Sequence, residues 1–160
     1  RAQHLAEHNI ELTLSDPEGS DLRVWTLRIL AAGVDESSAL GRELRRLDVK
    51  DIKLELWVPD AFPVEPPRVR VLRPSFEKGS FWVHQNGALC LEVLTTQGWS
   101  PAMSLAQLGV QVKTMMIQGT GSLYGPGAMG DPGPRGREKA WATSRLIETA
   151  HSDWNHFTEK

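Results

Sequence analysis

The residue best suited to covalent chemistry is Cys90, the only cysteine among the 160 residues of the chain. A lone cysteine cannot form an intrachain disulfide, and by default it is a small buried apolar residue. The polar turn Gln85-Asn86-Gly87 precedes it, however, and predicts a partly exposed sulfur that can ionise. Such a thiolate can attack a carbonyl carbon, and backbone N–H groups of the turn can stabilise the oxyanion that forms.

A second candidate is His84, which lies six residues before Cys90 and is suited to act as a base or hydrogen-bond donor near the thiol. The alternative is an ordinary surface histidine. A metal site is not predicted, because Cys90 has no partner at metal-ligand spacing and the five histidines are scattered. The Gly-rich residues 119–136 lack the Lys-Ser/Thr ending of a phosphate-binding loop, so we expect no nucleotide cofactor either.

The elements that must position these residues are predicted to form a single α+β domain over residues 1–160. Alternating apolar residues predict four strands, at residues 9–14, 22–30, 51–58 and 68–72, in an antiparallel meander. The third of these is predicted to bury one face and to leave the other mostly in water.

Helices and loops complete the prediction. Residues 104–118 are predicted to be helical, because an apolar stripe follows the capping-box pair Ser104 and Gln107. Residues 138–157 are predicted to form the final helix. Residues 31–46 are expected to be a loop insertion with one helical turn near residues 43–47, residues 119–136 a flexible loop without a core, and residues 2–8 the tail of a helix.

Composition restricts the partners. The formal net charge of −2 gives no electrostatic reason to expect nucleic acid or an anionic membrane as a partner. No apolar run approaches the length of a membrane span. A single cysteine favours the cytoplasm, the nucleus or both. Because the chain begins with Arg1, we expect a fragment whose native N-terminus is missing.

Three short motifs occur in a fixed order: Phe-Pro-Val-Glu-Pro-Pro at residues 62–67, Asn-Gly-Ala-Leu-Cys-Leu at residues 86–91 and Trp-Ser-Pro-Ala at residues 99–102. They resemble the ubiquitin-conjugating enzymes, whose pattern is a Tyr-Pro-x-x-Pro-Pro turn, an Asn-Gly-x-(Ile/Leu)-Cys-Leu site and a later Trp-Ser-Pro-Ala turn. Phe62 replaces the Tyr. The resemblance covers residues 10–118 and implies the ubiquitin-conjugating fold, a four-stranded antiparallel meander sheet flanked by helices.

One departure from that pattern is informative. Most members place His-Pro-Asn ten to eight residues before the cysteine, where this chain has Ser80, Phe81 and Trp82. The aromatic replacement, the long loop after the second strand and residues 87–100 resemble the divergent Q-type branch. The missing Asn is assigned an oxyanion or loop-organising role, so that role would fall to the indole N–H of Trp82, a backbone amide or His84.

The last helix holds a further candidate implied by the same resemblance. Q-type members carry a His and a Trp near the end of their last helix, which makes His151, close to Trp154, a candidate contact of the Cys90 pocket. The alternative is a solvated histidine beside a core tryptophan.

The activity that the resemblance implies is that of an acyltransferase. Cys90 would receive ubiquitin or a ubiquitin-like protein as a thioester from an activating enzyme and pass it to an amine of a substrate protein. Family members bind a ubiquitin ligase through two loops, which here hold Val64, Pro101 and Ala102; plain loop packing is the alternative for these three residues. The acidic loop that orients the incoming lysine in many members is absent, which leaves the acceptor amine open.

Two other functions remain open on the sequence. Loss of His-Pro-Asn is compatible with an inactive scaffold module that binds ubiquitin, although such scaffolds usually lack the cysteine. A cysteine hydrolase that uses Cys90 with His84 or His151 is the third reading, but no acid stands out that would orient the histidine.

Overall fold

Five strands in sequential order form the main antiparallel sheet. The structure, a computed structural model, describes residues 3–158, with side chains for residues 6–147. The strands are β1 (Gln3–Leu5), β2 (Ile10–Leu14), β3 (Val24–Leu30), β4 (Asp51–Trp57) and β5 (Arg68–Arg73). The predicted four-stranded meander is therefore confirmed as β2 to β5, and β1 is added where the tail of a helix was expected.

Within residues 3–158 the structure also has three α-helices and a second, two-stranded sheet. The helices are α1 (Ala39–Arg46), α2 (Leu105–Gln118) and α3 (Pro134–Thr158). The small sheet pairs β6 (Ser75–Phe76) with β7 (Leu123–Gly125). The capping box predicted for α2 forms, because Ser104 Oγ accepts from the Gln107 amide at 3.1 Å and Gln107 Oε1 accepts from the Ser104 amide at 2.8 Å. No helix within the described residues has the length and apolar character needed to cross a membrane.

The core lies between the inner face of the sheet and α2. Leu27 and Leu54 on the sheet and Val112 on the helix are fully buried, and all three belong to one continuous apolar cluster. Gly109 allows close contact, since an added Cβ would lie 3.0 Å from a methyl carbon of Leu27. The period-two alternation of the strands and the helical stripe of α2 therefore face each other, as their patterns predict.

The outer face of β4 differs from its prediction. It was expected to be mostly wet, but Glu55 is buried and Trp57 is only partly exposed. The cause is α3, which lies over this part of the sheet: Arg137 forms an ion pair with Glu55, and the Trp141 ring lies 6.4 Å from that of Trp57. The alternation of polar residues on one strand carries no information about a helix about 80 residues later.

Residues 119–136 also differ from their prediction as a loop without a core. Leu123 and Met129 are both buried, and Leu123 belongs to β7. Helix α1, longer than the single turn expected, holds this segment: Glu43 accepts from the Leu123 amide at 2.9 Å, and Arg46 donates to the Leu123 carbonyl at 3.0 Å. Long-range contacts thus order a stretch whose Gly and Pro content predicted flexibility.

Candidate active site

A very short hairpin presents Cys90. The Cys90 amide donates to the Trp82 carbonyl at 2.8 Å, and the His84 amide donates to the Ala88 carbonyl at 2.7 Å. Between these pairs Val83 bridges Leu89, and the side chains of both are buried in the core. Because side chains alternate along paired backbone, anchoring Leu89 inward leaves the Cys90 side chain toward the surface, where the residue is half-buried.

The backbone of this hairpin is unusual. Five residues between positions 79 and 87 have positive φ, namely Gly79, Phe81, Trp82, Asn86 and Gly87. Glycine and asparagine tolerate this region, whereas bulky residues such as Phe81 (φ 53°) and Trp82 (φ 68°) adopt it only when the surroundings impose it. Phe81 is held by the hydrogen bond that its backbone N–H donates to the Thr120 carbonyl (2.9 Å) and by edge-to-face packing on Phe76.

The hairpin is attached to the edge of the main sheet. Ala88 forms an isolated antiparallel bridge with Arg70 of β5. Gly87 sits so close to β5 that an added Cβ would lie 2.1 Å from the Val71 carbonyl oxygen. A rigid strand therefore fixes the backbone two and three residues before the candidate nucleophile.

Burial works against ionisation of the Cys90 thiol. Desolvation raises the pKa of Cys90 above its ordinary value, which disfavours the thiolate in the folded chain. The partly exposed position expected from the sequence is present, but the polar turn does not make the site an activating one. Such a thiol ionises late, and its thiolate is a correspondingly strong nucleophile.

The supporting candidates from the sequence are placed unequally. The indole N–H of Trp82 donates to the Met115 carbonyl at 3.2 Å, so it already has a partner, while the side chain stays 47% exposed. His84 is half-buried; burial, and next the charge of Lys78, lower its pKa, which keeps the imidazole neutral at pH 7. The described residues show no hydrogen bond between His84 and the Cys90 thiol. The side chain of His151 lies outside the described residues.

A cleft borders the backbone on both sides of Cys90. It lies between the Pro-rich turn, the segment that follows Cys90 and α3. Its lining includes Glu65, Arg68, Leu89, Leu91, Thr95 and Ile147. Within the described residues, the lining therefore includes both chain neighbours of Cys90 but not Cys90 itself, and its walls are apolar and charged.

The two loops proposed to bind a ligase lie side by side. The Trp99 indole N–H donates to the Pro63 carbonyl at 2.8 Å, and its ring packs 6.1 Å from that of Phe62. Val64 is 74% exposed, and Pro101 and Ala102 are exposed as well. Trp99 is thus the structural tie between two loops that together form one exposed surface.

Comparison with known proteins assigns this arrangement to a family. The model of the family "Ubiquitin-conjugating enzyme" matches residues 48–122. A human Q-like ubiquitin-conjugating enzyme is 33% identical over 119 residues, which are 74% of this chain and 70% of that protein. The chain belongs to the ubiquitin-conjugating enzyme family. Its similarity to Q-like members, together with the loss of His-Pro-Asn, makes it a divergent Q-type member.

Other relatives extend beyond the matched region. A Q-like ubiquitin-conjugating enzyme of Drosophila melanogaster is 35% identical over 62% of this chain, but the match spans only 31% of that protein. Among solved structures, a ubiquitin-conjugating enzyme of Plasmodium vivax superposes with a TM-score of 0.52 at 24% identity, covering 68% of this chain and 84% of that one. That likeness establishes the ubiquitin-conjugating fold.

Sequence reasoning missed a charged cluster behind the hairpin. Arg70 is fully buried on β5 and pairs with Glu55, which also binds Arg137. The available signal was an arginine between Val69 and Val71 in a predicted strand, since a charge flanked by apolar residues requires a partner if the strand is buried.

Proposed function

We propose that this family member is an active conjugating enzyme. Cys90 accepts ubiquitin or a ubiquitin-like protein from an activating enzyme and transfers it to an amine of a substrate protein, in the cytoplasm, the nucleus or both. The observation that carries the proposal is the outward position of the half-buried Cys90 side chain, on a hairpin that is fixed to β5 and whose residues Leu89 and Leu91 line a cleft. A ubiquitin ligase would bind the exposed surface of Val64, Pro101 and Ala102.

The chemistry consists of two acyl transfers. The Cys90 thiol loses its proton, and its sulfur attacks the carbonyl carbon of the thioester that the activating enzyme holds; a new S–C bond forms, and the activating enzyme's thiolate leaves. A neutral amine then attacks the same carbon: an N–C bond forms, the S–C bond breaks, the Cys90 thiolate departs, and the proton that the nitrogen loses returns to the thiolate or to solvent. A thiol with a raised pKa is a poorer leaving group, so the loaded thioester is comparatively durable until an amine is positioned.

Stabilisation of the oxyanion is reassigned relative to the family pattern. The indole N–H of Trp82 is engaged by the Met115 carbonyl, which favours the other two sequence candidates, a backbone amide of the hairpin or His84. Neutral His84 retains one ring N–H and can donate it. The proposal therefore needs no charged group at the reacting carbon.

The test is a charging reaction with an activating enzyme, ATP and ubiquitin, analysed on a non-reducing gel. We expect an adduct that disappears on addition of a thiol reductant and that Cys90→Ala cannot form. Trp82→Phe, which removes the indole N–H and keeps an aromatic ring, should still charge. Failure to charge with any common ubiquitin-like protein would refute the proposal.

A second function is favoured by two observations. The Asn of the family pattern is replaced by Trp82, whose N–H is committed to α2, and burial raises the pKa of the Cys90 thiol. Both features suit a module that binds ubiquitin without being charged. An NMR titration that shows saturable binding of ubiquitin, combined with a charging reaction that yields no adduct, would select this function over the first.

A further inference from the structure

All three guanidinium nitrogens of Arg70 donate hydrogen bonds behind the hairpin. Its Nε and Nη2 donate to the two carboxylate oxygens of Glu55 at 3.1 and 3.4 Å. Nη1 donates to the carbonyl of Asp131 at 2.8 Å, and Nη2 donates to those of Pro132 at 2.8 Å and Gly133 at 3.3 Å. The guanidinium thus joins β4 to three consecutive carbonyls at the start of α3, and its planar fork of five N–H groups is suited to that geometry.

Arg70 is not alone in balancing the negative charge of Glu55. Arg137 donates to both oxygens of Glu55, at 2.8 and 3.1 Å. Burial by itself would raise the pKa of Glu55, but the hydrogen bonds from Arg137 and Arg70 outweigh it and hold the pKa below its usual value. A change at Arg70 therefore removes its hydrogen bonds to Glu55 and to the three carbonyls, but Glu55 keeps a bidentate partner in Arg137.

The segment that Arg70 holds reaches the turn before Cys90. The Met129 amide donates to the Leu72 carbonyl at 2.7 Å, so residues 129–133 run beside the end of β5. An added Cβ at Gly130 would lie 3.7 Å from the Asn86 Cα, which places residue 130 against the turn at residues 85–87.

The start of α3 and the backbone of Arg70 meet the hairpin at the same residue. Ala140 and Trp141 pack on the fully buried Ala88, two residues before Cys90. Arg70 pairs with Ala88 through its own backbone. One buried residue is therefore bound, through its backbone, to the hairpin that presents the nucleophile and, through its side chain, to the loop and helix that pack against that hairpin.

We propose that Arg70 is a positioning residue for acyl transfer: it holds residues 129–133 and the start of α3 against the Cys90 hairpin. These segments then form a rigid surface beside which the amine attacks the thioester. This inference rests on the proposed function. It concerns discharge to the amine more than exposure of the thiol. Alkylation of the sulfur needs only access, whereas discharge needs the carbonyl carbon and the amine to be held together.

The test compares Arg70→Lys and Arg70→Met with wild type and with Arg28→Met. Arg28 donates to Asp51 at 2.6 Å on another part of the same sheet face. Arg28→Met is therefore the control for the loss of an ion-paired arginine from the sheet. Lysine keeps the charge beside Glu55, but a single ammonium cannot span the carboxylate and three carbonyls. Should Arg70→Met fail to fold, Arg70→Lys and Arg28→Met still give the comparison.

Three quantities are measured: alkylation of Cys90 by iodoacetamide, single-turnover discharge of the ubiquitin thioester to free lysine at saturation, and hydrogen exchange of residues 128–136. We expect discharge by Arg70→Met to fall by roughly 10- to 100-fold, a loss typical of a small misplacement of reacting groups. Arg70→Lys should fall between Arg70→Met and wild type. Exchange of residues 128–136 should rise only in the Arg70 variants, and alkylation should stay near that of Arg28→Met.

Two results overturn the inference. One is discharge by both Arg70 variants that equals that of wild type. The other is a loss of discharge in the Arg70 variants that follows their loss of thermal stability and is matched by an equal loss of discharge in Arg28→Met. Arg70 would then be merely structural. If wild type itself forms no thioester, the proposed function fails instead, and the two failures are therefore separable.

Discussion

Gly87 provides a sharp prediction about how the hairpin is held. Its φ is +85°, and a methyl group added there would place carbon 2.1 Å from the Val71 carbonyl oxygen, far inside van der Waals contact. Gly87→Ala therefore cannot be accommodated unless the hairpin moves away from β5, which would break the bridge between Ala88 and Arg70.

Gly79 provides a matched control in the same segment. Its φ is +80°, but nothing lies within 4 Å of an added Cβ. Gly79→Ala should therefore cost only the strain of a left-handed alanine, about 1–2 kcal/mol. Gly87→Ala adds the steric clash and the lost pairing, which together should bring the cost to roughly 3–5 kcal/mol.

The two variants are compared by thermal unfolding and by charging with ubiquitin. At about 2–4 °C for each kcal/mol in a domain of this size, Gly87→Ala should lower Tm by roughly 6–20 °C and Gly79→Ala by roughly 2–8 °C. Gly87→Ala should also charge poorly at a temperature where it is folded, because Cys90 is displaced, while Gly79→Ala should charge normally. Equal effects on both measurements would refute the attachment of the hairpin to β5.

Three further outcomes follow from single contacts. Because burial raises the pKa of Cys90, the thiol keeps its proton to higher pH. The rate of alkylation by iodoacetamide at pH 7 should be lower in the folded than in the urea-unfolded chain, and in the folded chain it should keep rising above pH 9. A rate that reaches a plateau below pH 8 would contradict this. Trp99→Ala removes a buried ring and its bond to Pro63, and should cost about 3–5 kcal/mol in urea unfolding. Ser104→Ala removes the hydrogen bond that caps the Gln107 amide and should lower the free energy of unfolding by about 1 kcal/mol in the same measurement. A loss larger than that of Trp99→Ala would contradict the role of Ser104 as a helix cap.

Local pattern was sufficient for most of the scaffold. Alternation predicted β2 to β5, and the apolar stripe with its Ser104 cap predicted α2, because those signals arise from neighbours in the chain. The start of α3 was predicted four residues too late, since Pro134 and Gly136 look like loop residues. Proline is favourable in the first turn of a helix, however, and the preceding carbonyls are held by Arg70.

The sequence was sufficient to propose candidate site residues but not to predict their contacts. Motif order indicated Cys90 and the two exposed loops, but nothing in the sequence shows that the Trp82 N–H finds the Met115 carbonyl 33 residues away. The same holds for Glu55 and Arg137, which are 82 residues apart. Contacts of that range depend on how α2 and α3 dock, which a periodic pattern does not encode.

The most direct measurement is the intact mass of the chain after incubation with an activating enzyme, ATP and ubiquitin, followed by mapping of the modified residue. We expect a mass increase equal to that of the modifier less one water, located at Cys90, removed by a thiol and absent from Cys90→Ala. An unmodified chain, or an adduct at another residue that survives thiol treatment and persists in Cys90→Ala, would contradict the assignment of Cys90 as the acyl carrier.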